Sequence, residues 1–247
     1  MKAAAVSPAS RRQRWLLYAA LGWAGLWLIL APLDEPIPED LALSTSIALS
    51  GLYTVLLYLT RGWWLPRLSA RPLRNAMALG IFNAAVIETL FLVVERIYGA
   101  EGIAASPNLL LDLLITMPWY VGMVVIFVRV QHRRRFNGVT VLFLGGLYEV
   151  AADGLVGGVL MEALGGNFIF LDPGYWALLL VIAVWQFILV YSSMVLPPAW
   201  VIATTPPPDD APSGPAWRDA LRPMLWAIPF AVYLVVLMVV LALLGGA

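Results

Sequence analysis

Gly145-Gly146-Leu147-Tyr148-Glu149-Val150-Ala151-Ala152-Asp153-Gly154-Leu155-Val156-Gly157-Gly158 lies inside a longer apolar run, and its reading decides the fold. As a helix it sets Gly145, Glu149, Asp153 and Gly157 at successive i+4 positions, so two carboxylates and two glycines share one stripe. The apolar residues around that stripe demand an apolar environment, while acids one turn apart demand water, a cation, a proton or a basic partner. A helix with both properties belongs in the interior of a membrane bundle.

Composition extends this reading to the whole chain. Of 247 residues, 62% are hydrophobic and only 12% charged, outside the range of soluble domains. The expected class is an all-α polytopic protein of the cell membrane. There are no cysteines, so disulfides, thiolate metal sites and cysteine nucleophiles are excluded, and His132 is the only histidine, which excludes histidine-cluster chemistry. Carboxylates, hydroxyls, arginines and backbone remain.

Working outward, six further apolar runs have spanning length. The seven expected spans are about 15–33, 41–60, 75–98, 109–130, 138–161, 174–196 and 224–244. The first follows a basic segment, 1–14, and leads into Asp34-Glu35-Pro36 rather than a cleavage site, so it reads as a retained helix. Ser and Thr in the second span can bond to their own helix backbone. In the fourth, Pro118-Trp119-Tyr120 reads as a packing kink, and Pro118 should free the carbonyl of Leu114. Pro197-Pro198 ends the sixth, and 199–222 is a Pro-rich cytoplasmic connection.

With alternating spans, all of the 15 basic residues except Arg96 fall on one side, Lys2 and Arg135 among them. The positive-inside rule then places the amino terminus in the cytoplasm and the carboxyl terminus outside. Glu88 and Glu149, and Glu101 and Glu162, share one sequence separation, and Asp112 and Asp172 nearly repeat it. This spacing reads either as a parallel repeat of spans 3–4 and 5–6 or as the coincidence that equal-length helices with acidic loops produce.

At about 1.5 Å per residue, Glu88 and Glu149 lie near the midplane, Asp153 a turn outward, and Glu95, Arg96 and Asp112 near the outer boundary. Glu88, Glu149 and Asp153, with Tyr148 beside them, form the expected substrate or ion site, and they are the ligands if a metal is bound. Glu95, Arg96 and Asp112 form an expected outer vestibule, held as an interfacial salt-bridged cluster. If spans three, four and five are neighbours, these groups make a polar funnel open to the exterior. The bland alternative is a hydrogen-bonded carboxyl pair tying helices together, with Tyr148, Asn83 or Gln186 as partners.

Several functions fall by count. The sole lysine, Lys2, lies outside every span and cannot form a retinal Schiff base, and one histidine is too few for the histidine-and-aspartate membrane hydrolases. Ile87-Glu88-Thr89-Leu90-Phe91 shares one acid with the paired-acid segment of membrane-bound carotenoid cyclases but lacks the second acid and the preceding proline, and assigns no family. The expected function is transport or binding of a cation, proton or small solute. The rivals are an intramembrane enzyme on a lipid or isoprenoid, with Glu149 or Glu88 as general acid or base, and a non-catalytic accessory subunit of a membrane complex. The bilayer, a cation or solute and a lipid substrate are the expected partners; nucleic acid is not. The sequence specifies neither a cofactor nor an oligomeric state.

Overall fold

The computed structural model describes residues 10–34, 37–164, 166, 168, 171–206, 208–209 and 215–245. Lys2, Glu35, Pro36, Gly165 and the 210–214 part of the Pro-rich connection lie outside them. Helices are the only regular secondary structure among the described residues, with no strand. The long helices are α1 (Arg11–Asp34), α2 (Pro38–Leu68), α3 (Pro72–Tyr98), α4 (Leu109–Arg134), α5 (Gly138–Leu164) and α6 (Pro173–Ala203). A short α7 (Ala216–Ala220) and a 3-10 turn (Arg222–Trp226) lead into α8 (Ala227–Gly245). Six stretches are long and apolar enough to cross a membrane: α2 to α6 and Ala216–Leu244. The chain is a helical membrane protein.

Local chemistry sets the helix ends. Asn108 accepts from the backbone N–H groups of Leu110 and Leu111 to open α4, Asn137 does the same for Thr140 in α5, and Asp172 for Gly174 in α6. Gly99, at φ 66°, closes α3 in the left-handed conformation that glycine adopts without a Cβ penalty. Ser50 and Thr54 bond back to the carbonyls of Ser46 and Ser50 in α2, as expected of a Ser- and Thr-rich span.

α6 is the central helix, packed against α2, α3, α4 and α5. It does not stop at Pro197-Pro198, where the sequence suggested an end, but runs on to Ala203 with both prolines buried inside it. A proline leaves the carbonyl four residues earlier without its helical donor. For Pro197 that carbonyl belongs to Ser193, and the Asn83 side-chain amide of α3 donates to it at 2.6 Å. Pro118 in α4 works the same way: the freed Leu114 carbonyl accepts from the Tyr233 hydroxyl at 2.7 Å, and Trp226, seated over Gly122, donates its indole N–H to the Pro118 carbonyl at 2.9 Å.

The deciding stretch departs from a regular helix. Gly138–Glu149 is α-helical, but Val150–Met161 winds as a π-helix, as do Leu179–Ala183 in α6. Bonds from i to i+5 widen the turn, so the i+4 stripe does not continue straight past Asp153. The glycines divide accordingly. Gly145 and Gly146 lie against Tyr191, Val184 and Ile188 of α6, and Gly154 and Gly158 against Leu179 and Tyr175. Gly157 faces open space. Thus α5 packs chiefly on α6 rather than on α3 or α4, and a hollow takes the place of direct packing between them.

Candidate functional site

The hollow is a cavity of about 540 Å³ bounded by α2 to α6 and by the α3–α4 loop. Leu43, Ile47, Ile87, Phe91, Ile182 and Phe187 give it an apolar wall. Glu88, Thr116, Tyr120, Glu149, Asp153 and Gln186 supply polar atoms, and among the described residues no Lys, Arg or His lines it. An apolar chamber with a few convergent polar groups has the character of a small-molecule site.

The acids stand in two pairs. Glu88, from the middle of α3, accepts a 2.5 Å hydrogen bond from the Tyr120 hydroxyl and lies beside the Asp112 carboxyl of α4. Asp112 is 0% exposed; its Oδ1 accepts from Ser106 N–H at 3.3 Å, while its Oδ2 has no partner. Glu149, 4% exposed, lies beside Asp153 and the Tyr191 hydroxyl, and its Oε2 is buried with no partner. The indole of Trp119 donates to Tyr191 Oη at 2.8 Å and so orients that hydroxyl. Asp153 sits deep in the bundle yet is exposed, because its side chain faces interior hollows.

The sequence-derived set is partly brought together. Glu88, Glu149 and Asp153 share the cavity, as their expected grouping requires. Tyr148 does not join them. It is fully buried, packs edge-on to Phe127 and donates to the Ala220 carbonyl at 2.9 Å, because one residue along a helix turns the side chain about a quarter-turn away from Glu149. The outer group differs as well: Glu95, Arg96 and Asp112 form no ion-pair cluster. Glu95 accepts from the backbone N–H groups of Ile103 at 3.0 Å and Ala104 at 2.5 Å, and Arg96 donates to the Pro107 carbonyl at 2.5 Å. Loop amides and carbonyls compete well for these charges where the chain doubles back close to them. Glu95 and Asp112 thereby fasten the α3–α4 loop, whose residues Gly102 to Ala105 form part of the cavity wall.

Among the described residues no group of three or more His, Asp or Glu side chains is placed to hold a metal ion. The expected trio of Glu88, Glu149 and Asp153 therefore offers paired acceptors rather than a closed oxygen cage.

No known family model matches the chain. No curated protein and no solved structure matches it either. The geometry alone carries the functional argument.

Sequence reasoning missed three polar participants. Tyr120 belongs to the Pro118-Trp119-Tyr120 stretch, which serves as both packing kink and cavity wall. Thr116 lies one turn after Asp112 and could have been found by following that face of α4. Tyr191 carries no sequence signal, since it sits in an apolar run of α6 and meets Glu149 only through tertiary packing. Asn83, considered as a partner for the acids, instead accepts from the Tyr53 hydroxyl at 2.9 Å and donates to the Ser193 carbonyl that Pro197 leaves free. The equal spacing of Asp112 and Asp172 does not give them equal roles, since Asp172 is an exposed cap of α6.

Proposed function

We propose that the chain is a seven-span protein of the cell membrane, amino terminus cytoplasmic, whose outer-half cavity binds and carries a small organic cation or a solute with a cationic group. One observation carries the reading: a cavity of about 540 Å³ is lined by Glu88, Glu149 and Asp153 with no basic side chain among the described residues to balance them. Acids brought together in the interior of a bundle need a compensating charge, proton or water, and a cationic guest supplies the charge. The cavity far exceeds the needs of a bare ion, and its apolar walls suit an organic body around the charged group.

The seventh span in this reading is α1, a helix of 24 residues and so about 36 Å long, enough to cross the hydrocarbon core. The orientation follows from the arginines, which cluster at the end of the bundle opposite the α3–α4 loop. The cavity is lined by the α3–α4 loop and by residues near the start of α2 and of α6, so this topology opens it outward.

The test is flux in proteoliposomes. The purified protein should drive uptake of one or more members of a panel of methyl-, ethyl- and butylammonium ions, and Glu149→Gln should abolish it. A panel without protein-dependent flux, or full flux in Glu149→Gln, refutes the reading.

A further inference from the structure

A second hollow, of about 330 Å³, lies on the other side of Asp153. Ile115 and Thr116 of α4, Ala152 and Gly157 of α5, and Leu234 and Leu237 of α8 wall it. Apart from Asp153 and Thr116 its lining is apolar. Three residues, Ala105, Thr116 and Asp153, line both this groove and the acid chamber, so the two hollows meet at one carboxylate. The far wall of the groove is α8, whose Val236, Val239 and Leu243 are exposed along the opposite surface and suit contact with lipid.

We infer that the two hollows hold the two ends of one ligand: a long-chain amphiphile whose cationic head stands among Glu88, Glu149 and Asp153 and whose alkyl tail lies in the groove between α4, α5 and α8. This rests on the reading of the acid chamber as a cation site and names the class of its ligand. The head is argued from the chamber, where the carboxyl-bearing side chains of Glu88, Glu149 and Asp153 converge and no Lys, Arg or His stands among the described lining residues. Carboxylates gathered in a low-dielectric chamber are costly without a countercharge, and an ammonium group supplies one. The tail is argued from continuity and from fit. A groove whose only polar lining residues, Asp153 and Thr116, stand where it meets the chamber gives little to a small hydrophilic solute, whereas it shelters an alkyl chain attached to a head at Asp153. At about 30 Å³ for a group the size of a water or methylene, it takes roughly eleven of them.

Gly157 is the position that keeps the groove open. A Cβ added there meets nothing nearer than the Ala152 carbonyl oxygen at 3.8 Å, and Gly157 lines the groove, so substitution there starts without a backbone clash. That makes a larger side chain at Gly157 a plug for the groove.

The experiment measures binding of butylamine, dodecylamine and the neutral dodecanol to the full chain in nanodiscs, followed by tryptophan fluorescence and thermal shift. Wild type, Gly157→Leu and Glu149→Gln are compared, with Leu237→Trp as a second plug from the α8 wall. Both plugs should weaken dodecylamine on the order of tenfold, the worth of one to two displaced methylenes, while leaving butylamine unchanged. Glu149→Gln should weaken both amines, and dodecanol should bind far more weakly than dodecylamine. Comparison between variants cancels the partitioning of long chains into lipid. If both plugs leave dodecylamine binding intact while Glu149→Gln still weakens butylamine, the tail inference falls and the cation site stands. If dodecanol binds as tightly as dodecylamine, the groove is merely an acyl-chain slot and the inference is overturned. If neither amine binds, the cation reading itself fails, and the inference with it.

Discussion

Gly146 and Gly157 stand eleven residues apart on α5, and alanine at the two positions should move stability in opposite directions. At Gly146 an added Cβ comes within 2.6 Å of the Val184 carbonyl oxygen and 2.9 Å of Ile188 Cγ1. The first of these is backbone of α6, the helix that α2, α3, α4 and α5 all pack against, so the clash cannot be relieved by turning a side chain. Overpacking of this kind costs about 1–3 kcal/mol, partly offset by roughly 1 kcal/mol from replacing a helical glycine with alanine. At Gly157 the same gain applies with no clash, the nearest atom being 3.8 Å away. The two variants should therefore differ by about 2 kcal/mol, with Gly146→Ala below wild type and Gly157→Ala at or above it. Reversible unfolding in mixed micelles, followed by tryptophan fluorescence, measures both. Equal destabilisation by the two would refute the assignment of Gly146 to the helix seam and Gly157 to an open groove.

Three further outcomes follow from the same geometry. Tyr148→Phe should cost about 1 kcal/mol for the lost bond to the Ala220 carbonyl and leave amine binding at the wild-type level, since Tyr148 is outside the cavity; a melting curve and a binding isotherm check the two halves. Asn83→Leu should cost about 2 kcal/mol by leaving the Ser193 carbonyl without its side-chain donor, and much of that should vanish in a Pro197→Ala background, where a restored backbone N–H takes the carbonyl; strictly additive effects in the double-mutant cycle would contradict the pairing. Glu95→Ala should speed hydrogen exchange at the Ile103 and Ala104 amides, and Glu95→Gln, which keeps an acceptor oxygen, should speed it less.

The helices were legible because a bilayer fixes the length of an apolar run and because Gly, Pro, Asn and Asp mark where each run ends. Periodicity placed Glu149 and Asp153 one turn apart, and depth counting brought Glu88 to the same level. What periodicity cannot carry is the rotation of one helix against another. Asp112 counts as a boundary residue along α4, yet it is turned inward beside Glu88, and Glu95 is turned onto a loop that sequence alone leaves free to sit anywhere. Likewise the sequence leaves open which helix α5 packs on, and its glycines seat it on α6, whose Tyr191 reaches Glu149 from an apolar run. Winding was invisible for a related reason: Val150–Met161 has the composition of any buried helix, and i+4 and i+5 ladders draw on the same residues.

The distribution of satisfied and unsatisfied groups separates scaffold from site. Where Pro197, Pro118 and the α3–α4 loop strand backbone groups, a side chain answers them: Asn83 at Ser193, Tyr233 at Leu114, Glu95 at Ile103 and Ala104. A fold that provides for backbone groups in this way has the donors to provide for its carboxylates too. It does so for Glu88 through Tyr120, and it leaves Oε2 of Glu149 and Oδ2 of Asp112 without a partner. Trp27 Nε1, His132 Nδ1 and the Ser46 and Ser193 hydroxyls are unserved as well, but a buried carboxylate oxygen is the costliest of these to leave unmet. Of the two acids, Glu149 lines the chamber, so a countercharge held there lies beside a carboxylate that the protein leaves partly unserved.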